Sequence, residues 1–303
     1  MRKYERGVQM ELLILAFDHR GSFLEKMFGI KGREPTQEET KTICDYKKMI
    51  YEGFVQSVKG KKEGRGILVD EQFGSGILED AKKNGITFAM PCEKSGQDEF
   101  DFDYGSAFPV HIQKFNPEYV KVLVRFNPEG NDEVNLRQME KLKKLDNYLK
   151  LSGRKLLFEL LVPATEKQMA GGKEKYDAEL RPKLMVRTMK MIQDYAIEPD
   201  IWKLEGVDKS EDSRGLVAQA KAGGRNAWVV TLGRGESREK VAEWLKVGAK
   251  IPGIIGFAVG RTIFWEPLEG YKNGRFSRSD AVRMIGDNYS GFVKLWQDEK
   301  NGQ

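Results

Sequence analysis

One lysine lies in the middle of an apolar stretch that has the length of a buried strand, PDIWKLEG at residues 199–206. Because side chains alternate between the two faces of a strand, Lys203 shares its face with Ile201 and Glu205. An ammonium group is costly to bury unless it has an anionic partner or loses its proton. A lysine without its proton attacks carbonyl carbons and forms Schiff bases. The stretch therefore predicts that Lys203 is a catalytic nucleophile.

The elements around this lysine alternate between strand-length apolar runs and helix-length segments. The predicted strands are Leu12–Phe17, Gly66–Asp70, Ile86–Met90, Tyr119–Arg125, Lys155–Leu161, Pro199–Glu205, Asn226–Leu232 and Gly253–Val259. The predicted helices are Glu38–Lys59, Ser75–Asn84, Asn135–Leu151, Arg181–Tyr195, Ser213–Ala222, Ser237–Val247 and Ser279–Gln297. This alternation predicts a parallel sheet, and its length favours a single-domain (β/α)8 TIM barrel with a core of residues 10–298. An open doubly wound sheet is the alternative.

Two segments interrupt the alternation. Residues 92–116 are polar, aromatic and long for a loop, so they are expected to cover one end of the barrel. Their aromatic side chains are expected to contact substrate or a neighbouring subunit, so a homo-oligomer is one possible assembly. Residues 169–177 are predicted to form a mobile loop with Gly171 and Gly172 as its hinge.

Charged residues fall on one face of five predicted strands, at or near the C-terminal ends. They are Asp18, Asp70, Lys121, Glu159 and Lys203. The other face of each strand is apolar and suits the surrounding helices, so the charged faces are expected to point into the barrel. Active sites of such barrels lie at the C-terminal end. A charge network without chemistry is the alternative, but buried ion pairs stabilise poorly, which favours a catalytic site.

Two Gly-Arg pairs follow the last two predicted strands, in TLGRGES at 231–237 and AVGRT at 258–262. Loops at these places of a barrel commonly bind phosphate, because glycine lets the backbone approach its oxygens and arginine supplies a bidentate fork. The alternative is ordinary tight turns. The pattern predicts a phosphate site at Gly233, Arg234, Gly260 and Arg261, with Arg261 the stronger candidate.

The composition excludes several other kinds of function. The net charge is only +5, with acidic and basic residues interspersed, so no nucleic-acid surface is expected. The N-terminal apolar run is too short for a signal peptide or a membrane span, so no membrane partner is expected. Two cysteines do not support a disulfide framework, which fits a cytoplasmic protein. With only His19 and His111, and no paired spacing, no metal or other cofactor is expected.

Eight segments resemble a known family almost end to end: LLILAFDHRGSF, ILVDEQFG, MPCEKSGQDEFDFDYG, YVKVLVRFNPEG, LLFELLVPA, EPDIWKLEG, TLGRGES and GFAVGRTIFW. The resemblance is to the aldolase-like domain found behind the sugar kinase 5-dehydro-2-deoxygluconokinase in bacterial inositol catabolism. That domain is similar to the class I tagatose-1,6-bisphosphate aldolases, which are barrels. The aldolases usually have glutamine where this chain has His19.

The resemblance implies roles for individual residues. It implies that Lys203 forms the Schiff base, that Glu159 is the acid/base, and that Lys121 and Asp18 assist them. It matches Asp70 to the second-strand acid and Arg261 to the phosphate-binding arginine of the aldolases. Beyond the resemblance, His19 and Arg20 are candidates for substrate contacts, with a hydrogen-bonded loop histidine as the alternative for His19. Arg234 and the amides of Gly233 and Gly260 are expected at the phosphate from the Gly-Arg pattern. The implied activity is that of a lyase acting on a phosphorylated sugar. One candidate reaction cleaves 2-deoxy-5-keto-gluconate 6-phosphate to dihydroxyacetone phosphate and malonate semialdehyde.

Other functions remain open at this point. One is a tagatose-1,6-bisphosphate or other sugar-phosphate aldolase, and another is a metal-dependent aldolase or an isomerase. A protein that binds a sugar phosphate and partners a kinase without catalysis is a third.

Overall fold

Eight parallel strands close into a barrel in the computed structural model, which describes residues 11–302. The strands are β1 (Leu12–Ala16), β2 (Arg65–Leu68), β3 (Thr87–Pro91), β4 (Tyr119–Arg125), β5 (Lys155–Leu161), β6 (Ile201–Glu205), β7 (Trp228–Leu232) and β8 (Ile254–Val259). Each strand pairs with the next, and β8 pairs with β1. The predicted (β/α)8 barrel is thus confirmed. The prediction that the N-terminal apolar run is neither a signal peptide nor a membrane span also concerns residues 1–10, which lie outside the described residues.

Helices follow the strands around the outside of the barrel. Within residues 11–302, those of at least eight residues are α1 (Gln37–Ser57), α2 (Glu71–Lys83), α3 (Phe108–Phe115), α4 (Asp132–Ser152), α5 (Arg181–Asp194), α6 (Ser210–Lys221), α7 (Arg238–Ala249), α8 (Arg261–Lys272) and α9 (Arg278–Asn301). Shorter helical turns are Gly21–Phe23, Leu24–Phe28, Gly105–Ala107, Glu166–Met169, Lys173–Lys175, Tyr176–Leu180 and Ala222–Gly224. None of the described helices has the length and hydropathy of a membrane span.

Two of these helices were not predicted. α3 lies inside the segment that was expected to be a loop, and α8 contains Pro267. A proline in a helix interior removes a backbone hydrogen bond and is normally a sign that the helix has ended. The segment 169–177 is also mostly helical rather than an open loop, and Tyr176 anchors it by donating a buried hydrogen bond to the carbonyl of Val162 at 2.6 Å.

The barrel interior has an apolar lower part and a charged upper part. Its apolar residues form one buried cluster: Leu12, Ile14, Ala16, Leu68, Ala89, Tyr119, Leu157, Ile201, Val230, Ile255 and Ala258. The alternate residues of the same strands, such as Trp202 and Leu204, belong to the larger core between the strands and the helices. The predicted division of each strand into an inner and an outer face is therefore confirmed, and it directs the charged residues toward the C-terminal mouth of the barrel.

The first half of segment 92–116 lies against this mouth. Glu93 and Phe102 form an isolated antiparallel bridge that closes a short loop, and residues 94–97 of that loop line the cavity at the mouth. Phe102 stacks on Phe108 with ring centroids 4.3 Å apart, so these rings pack within the chain. The expected covering of one barrel end is thus provided by residues 93–102.

Candidate active site at the mouth of the barrel

Lys203 and Glu159 face each other on neighbouring strands. They are direct partners in the register of β5 and β6, and Lys203 Nζ lies 2.7 Å from Glu159 Oε2. Both side chains are buried. The amine that sequence alone singled out therefore has one carboxylate at hydrogen-bond distance, which is the arrangement required for proton transfer between the two groups.

Lys121 stands beside this pair and contacts three carboxylates. Its Nζ lies 2.8 Å from Asp18 Oδ2, 2.7 Å from Glu93 Oε1 and 2.9 Å from Glu159 Oε2. Burial by itself lowers the pKa of Lys121, but the three carboxylates outweigh burial and hold this pKa well above its usual value. Lys121 is therefore a permanent ammonium group that gathers the acids of the site.

The pKa values of the three carboxyl groups are not all shifted in the same direction. Burial raises each pKa, but Lys121 and Lys203 together bring the pKa of Asp18 and of Glu159 below the usual range. For Glu93 burial prevails over Lys121 and Arg20, so the pKa of this carboxyl is raised. Glu93 Oε2 is buried without a hydrogen-bond partner among the described residues. Sequence reasoning missed Glu93, whose one local signal is a charge three residues after the predicted strand Ile86–Met90.

His19 and Arg20 follow Asp18 and also line the cavity. Burial, assisted by the charges of Arg261 and Lys203, lowers the pKa of His19 to about 4 despite the opposing effect of Asp18. Its imidazole is thus neutral near pH 7, and its Nδ1 is buried without a partner in the described structure. The guanidinium of Arg20 is held by Asp103 at 2.7 Å.

Asp70 departs from the expectation that five charges meet inside the barrel. Its carboxylate forms a buried ion pair with Lys47 of α1. The same carboxylate caps α2 by accepting a hydrogen bond from the amide of Phe73 at 2.9 Å. Asp70 does not line the cavity that holds Lys203. The physical reason is that Lys47, at the barrel wall, offers Asp70 a cation outside the cluster around Lys121.

The two Gly-Arg pairs lie together at the end of the barrel, but their arginines have different partners. Arg234 is engaged by two carboxylates, Glu205 Oε1 at 2.8 Å and Asp177 Oδ1 at 2.7 Å. Arg261 Nη2 donates to the backbone carbonyl of Arg234 at 3.0 Å, and no carboxylate of the described residues forms an ion pair with it. Burial lowers the pKa of Arg261, although Glu159 acts in the opposite direction. Arg261 is therefore the arginine of the two that lacks a negative partner.

The glycines of these loops are packed closely. A Cβ atom at Gly260 would lie 2.0 Å from the carbonyl oxygen of Ala16, and one at Gly233 would lie 3.2 Å from Val241 Cγ2. Gly235, which was not singled out from the sequence, has φ +77° and would place a Cβ atom 2.3 Å from Arg261 Nη2. The backbone of this loop thus lies directly against the Arg261 guanidinium.

A cavity of about 160 Å³ joins the charged residues of the mouth. Lys203, Glu159, Lys121, Asp18, Glu93 and His19 all line it. Arg261 lines a second cavity of about 450 Å³ together with Gly235 and Thr262. Within residues 11–302, no group of three or more His, Cys, Asp or Glu side chains is arranged to hold a metal ion. The arrangement is that of two buried amines and three acids around a small space, which suits proton transfer to and from a carbonyl compound.

Comparison with known proteins gives one similar sequence and many similar folds. The chain is 25% identical to tagatose 1,6-diphosphate aldolase 2 of Streptococcus agalactiae over 215 residues, which cover 67% of this chain and 61% of that protein. It therefore spans less than two thirds of that relative's length.

Two solved structures illustrate the likeness in fold. Fructose-bisphosphate aldolase from Plasmodium falciparum aligns with a TM-score of 0.66 at 12% identity, over 95% of this chain and 92% of that one. An archaeal fructose-1,6-bisphosphate aldolase, whose catalytic lysine is covalently bound to the carbinolamine intermediate, aligns with a TM-score of 0.58 at 12% identity, over 95% and 94%. At this identity the likeness concerns the fold.

The match to a protein-family model is much more extensive. Residues 2–300 match the family described as "Uncharacterized protein conserved in bacteria (DUF2090)". This match includes every strand of the barrel and every residue of the site described above. The chain belongs to the DUF2090 family.

Proposed function

We propose that this protein is a class I aldolase, a lyase that cleaves a phosphorylated ketose or keto-sugar acid through a Schiff base on Lys203. The observation that carries the proposal is the contact of 2.7 Å between Lys203 Nζ and Glu159 Oε2 inside a buried cavity at the barrel mouth. The sequence similarity to a tagatose 1,6-diphosphate aldolase supports it. The archaeal aldolase of the same fold carries its intermediate on a lysine.

The first step is attack of the neutral Lys203 amine on the ketone of the substrate. Glu159 gives the carbonyl oxygen the proton that it took from the Lys203 ammonium group before the attack. It then takes a proton from the carbinolamine nitrogen and returns it to the hydroxyl, so that water leaves and an iminium forms. The adjacent C–C bond then breaks, and its electron pair moves into the iminium to give an enamine. The proton of the hydroxyl on the far carbon passes to Glu159, and that carbon leaves as an aldehyde. Protonation of the enamine and hydrolysis of the iminium release the ketone phosphate and restore Lys203.

The other residues position these groups. Lys121 stays charged and holds the carboxylates of Asp18, Glu93 and Glu159 in place. His19, which is neutral, offers a ring nitrogen for a hydrogen bond to a substrate oxygen. Arg20 is held by Asp103 at the wall of the cavity and contributes charge there. Asp70 pairs with Lys47 and does not line the cavity, so it does not contact the substrate.

The phosphate of the substrate is assigned to Arg261 and to the amides of Gly260 and Gly233. Arg261 has free donors and no carboxylate partner among the described residues, whereas Arg234 already binds Glu205 and Asp177. Arg234 therefore supports the loop, and Arg261 binds the phosphate. Oxygen atoms of phosphate match the planar fork of a guanidinium group.

Two substrates agree with this site. 2-Deoxy-5-keto-gluconate 6-phosphate, cleaved to dihydroxyacetone phosphate and malonate semialdehyde in inositol catabolism, is suggested by the resemblance of the sequence motifs. Tagatose 1,6-bisphosphate is suggested by the relative with 25% identity. Both give dihydroxyacetone phosphate as the fragment that stays on Lys203.

Borohydride trapping with dihydroxyacetone phosphate tests the proposal. We expect reduction to fix the ligand on Lys203, as seen by peptide mass spectrometry, and we expect no labelling in Lys203→Met. Lys209→Met, changed at a lysine four residues after the end of β6, is the matched control and should label like the wild type. Label on another lysine, activity that disappears with a chelator, or binding without labelling and without turnover would each contradict a Schiff base on Lys203.

A further inference from the structure

Arg125, like Arg261, donates a hydrogen bond to a backbone carbonyl. Arg125 Nη1 donates to the carbonyl of Gln97 at 2.7 Å, and neither arginine forms an ion pair with a carboxylate of residues 11–302. Both side chains are partly buried. A guanidinium group has five N–H donors, and one carbonyl leaves most of them unused. A half-buried cation with unused donors is stabilised when a ligand brings an anion to it.

The cavity around Lys203 has an excess of positive charge. Its lining contains five cationic side chains but only three carboxylates. Arg20, Lys121 and Lys203 each contact at least one carboxylate. Lys94 and Arg125 contact none among the described residues, although both line the cavity. The positive charge that is left over is thus concentrated on the side of the cavity formed by β4 and residues 94–97.

The barrel places Lys203 midway between the two arginines. Arg125 ends β4, and Arg261 follows β8, so they stand on opposite sides of a closed ring of eight strands. Lys203 belongs to β6, two strands from each. A substrate whose phosphate binds Arg261 and whose ketone reaches Lys203 therefore extends its remaining carbons toward Arg125.

Arg125 is also held in position before any ligand arrives. Its backbone carbonyl accepts a hydrogen bond from Gln138 Nε2 at 3.1 Å, and Gln138 Oε1 accepts one from the amide of Phe100 at 2.8 Å. These contacts fix the end of β4 to the loop that covers the mouth. A binding group that is already ordered loses less entropy when it binds its ligand.

We propose that Arg125 and Lys94 bind a second anionic group, a carboxylate or a phosphate, at the end of the substrate that leaves as the aldehyde. The inference rests on the proposed function for the position of the reacting carbon. Both candidate substrates carry a second anionic group, and the inference adds which residues bind it and hold the leaving aldehyde.

Binding of three six-carbon compounds that lack a ketone tests the inference without any catalysis. The compounds are 6-phosphogluconate, glucitol 1,6-bisphosphate and glucitol 6-phosphate, and calorimetry gives their dissociation constants. We expect at least one of the two compounds with a second anionic group to bind about tenfold more tightly than glucitol 6-phosphate, since that group adds a charge-assisted contact with Arg125. Tighter binding of 6-phosphogluconate would identify a carboxylate, and tighter binding of the bisphosphate would identify a phosphate.

Variants locate the effect. Arg125→Gln should abolish the preference for the compound with two anionic groups, and it should leave the affinity for glucitol 6-phosphate unchanged. Lys94→Gln, changed at an exposed side chain, should reduce the preference. Arg65→Gln is the matched control, because Arg65 is also half-buried and donates to a backbone carbonyl, that of Glu63, but begins β2 at the opposite end of the barrel.

Three results would overturn the inference. They are equal binding of all three compounds by the wild type, no measurable binding of the two compounds with two anionic groups, and a preference that survives in Arg125→Gln. Labelling of Lys203 by dihydroxyacetone phosphate does not depend on Arg125, so failure of the Schiff base and failure of the second anion site are observed separately.

Discussion

Glu159 and Lys203 are register partners on two neighbouring parallel strands, and one oxygen of Glu159 lies 2.7 Å from Lys203 Nζ. The same oxygen lies 2.9 Å from Lys121 Nζ. Because Lys121 keeps Asp18 and Glu93 as partners, it remains charged when Glu159 takes up a proton. Glu159 thus lies between Lys203, with which it can exchange a proton, and the ammonium group of Lys121, which holds it in position.

Glu159→Gln should therefore affect the chemical step more than binding. We expect kcat to fall by about 10²–10⁴-fold, which is the usual contribution of a positioned acid/base, and trapping on Lys203 to slow in parallel. Glutamine has nearly the same size, so the dissociation constant of dihydroxyacetone phosphate should change little. Steady-state kinetics and timed borohydride trapping give the two numbers. Glu118→Gln, at the exposed residue just before β4, should be without effect. A Glu159→Gln enzyme within threefold of wild type would contradict the assigned role.

Asp70→Asn should lower stability rather than substrate affinity. Asparagine caps a helix as well as aspartate does, so the change mainly removes the charge opposite Lys47. An unpaired ammonium at a fully buried site costs about 3–5 kcal/mol, which urea unfolding would measure. Asp194→Asn, which breaks an exposed ion pair with Lys190, should cost less than about 1 kcal/mol.

The double variant Lys47→Met with Asp70→Asn provides the second half of this test. Methionine removes the buried charge that Asp70→Asn leaves unpaired, so the double variant should regain part of the lost stability. A normal free energy of unfolding together with a raised KM in Asp70→Asn would instead assign Asp70 to the substrate.

Much of the barrel follows from local sequence. The bounds of β4 and β5 agree with prediction at both ends, since each is a mainly apolar run that contains single charged residues and is followed by a turn or polar residues. The inward placement of Lys121, Glu159 and Lys203 follows from the alternation of side chains alone. α8 was missed because Pro267, in its interior, is normally a sign of a helix end.

The parts of the site that sequence did not reveal depend on contacts between distant residues. Glu93 lies in a polar segment, and its position is set by the bridge to Phe102 and the contact with Lys121. Asp70 was expected among the interior charges because its partner, Lys47, lies in a helix, where a lysine normally faces solvent. Neither pairing leaves a periodic pattern in the sequence.

His19 should make the protein less stable in mild acid. Burial lowers its pKa to about 4 in the folded protein, whereas in the unfolded chain the pKa is about 6.5. Below pH 6.5 the unfolded chain therefore takes up a proton that the folded protein does not take up until about pH 4, and the free energy of unfolding falls as the pH falls between these values. The imidazole is partly exposed, so we expect a loss of about 2 kcal/mol rather than the full linkage value.

His19→Gln isolates this contribution, because glutamine is uncharged over the same range. Urea unfolding at several pH values should show a shallower decline for the variant than for the wild type between pH 6.5 and pH 4. Parallel curves for the two proteins would show that His19 is not held neutral by the fold.

Gly235→Ala should weaken phosphate binding through Arg261. The residue has φ +77°, so alanine costs about 1–2 kcal/mol of stability, and its Cβ would lie 2.3 Å from Arg261 Nη2. The guanidinium must move aside, and we expect KM for a phosphorylated substrate to rise about tenfold, as for the loss of one charge-assisted contact. Gly274→Ala has the same strain, at φ +70°, but no atom within 4 Å of its Cβ. It should lose similar stability and keep its KM, and equal KM values in the two variants would exclude Arg261 as the phosphate ligand.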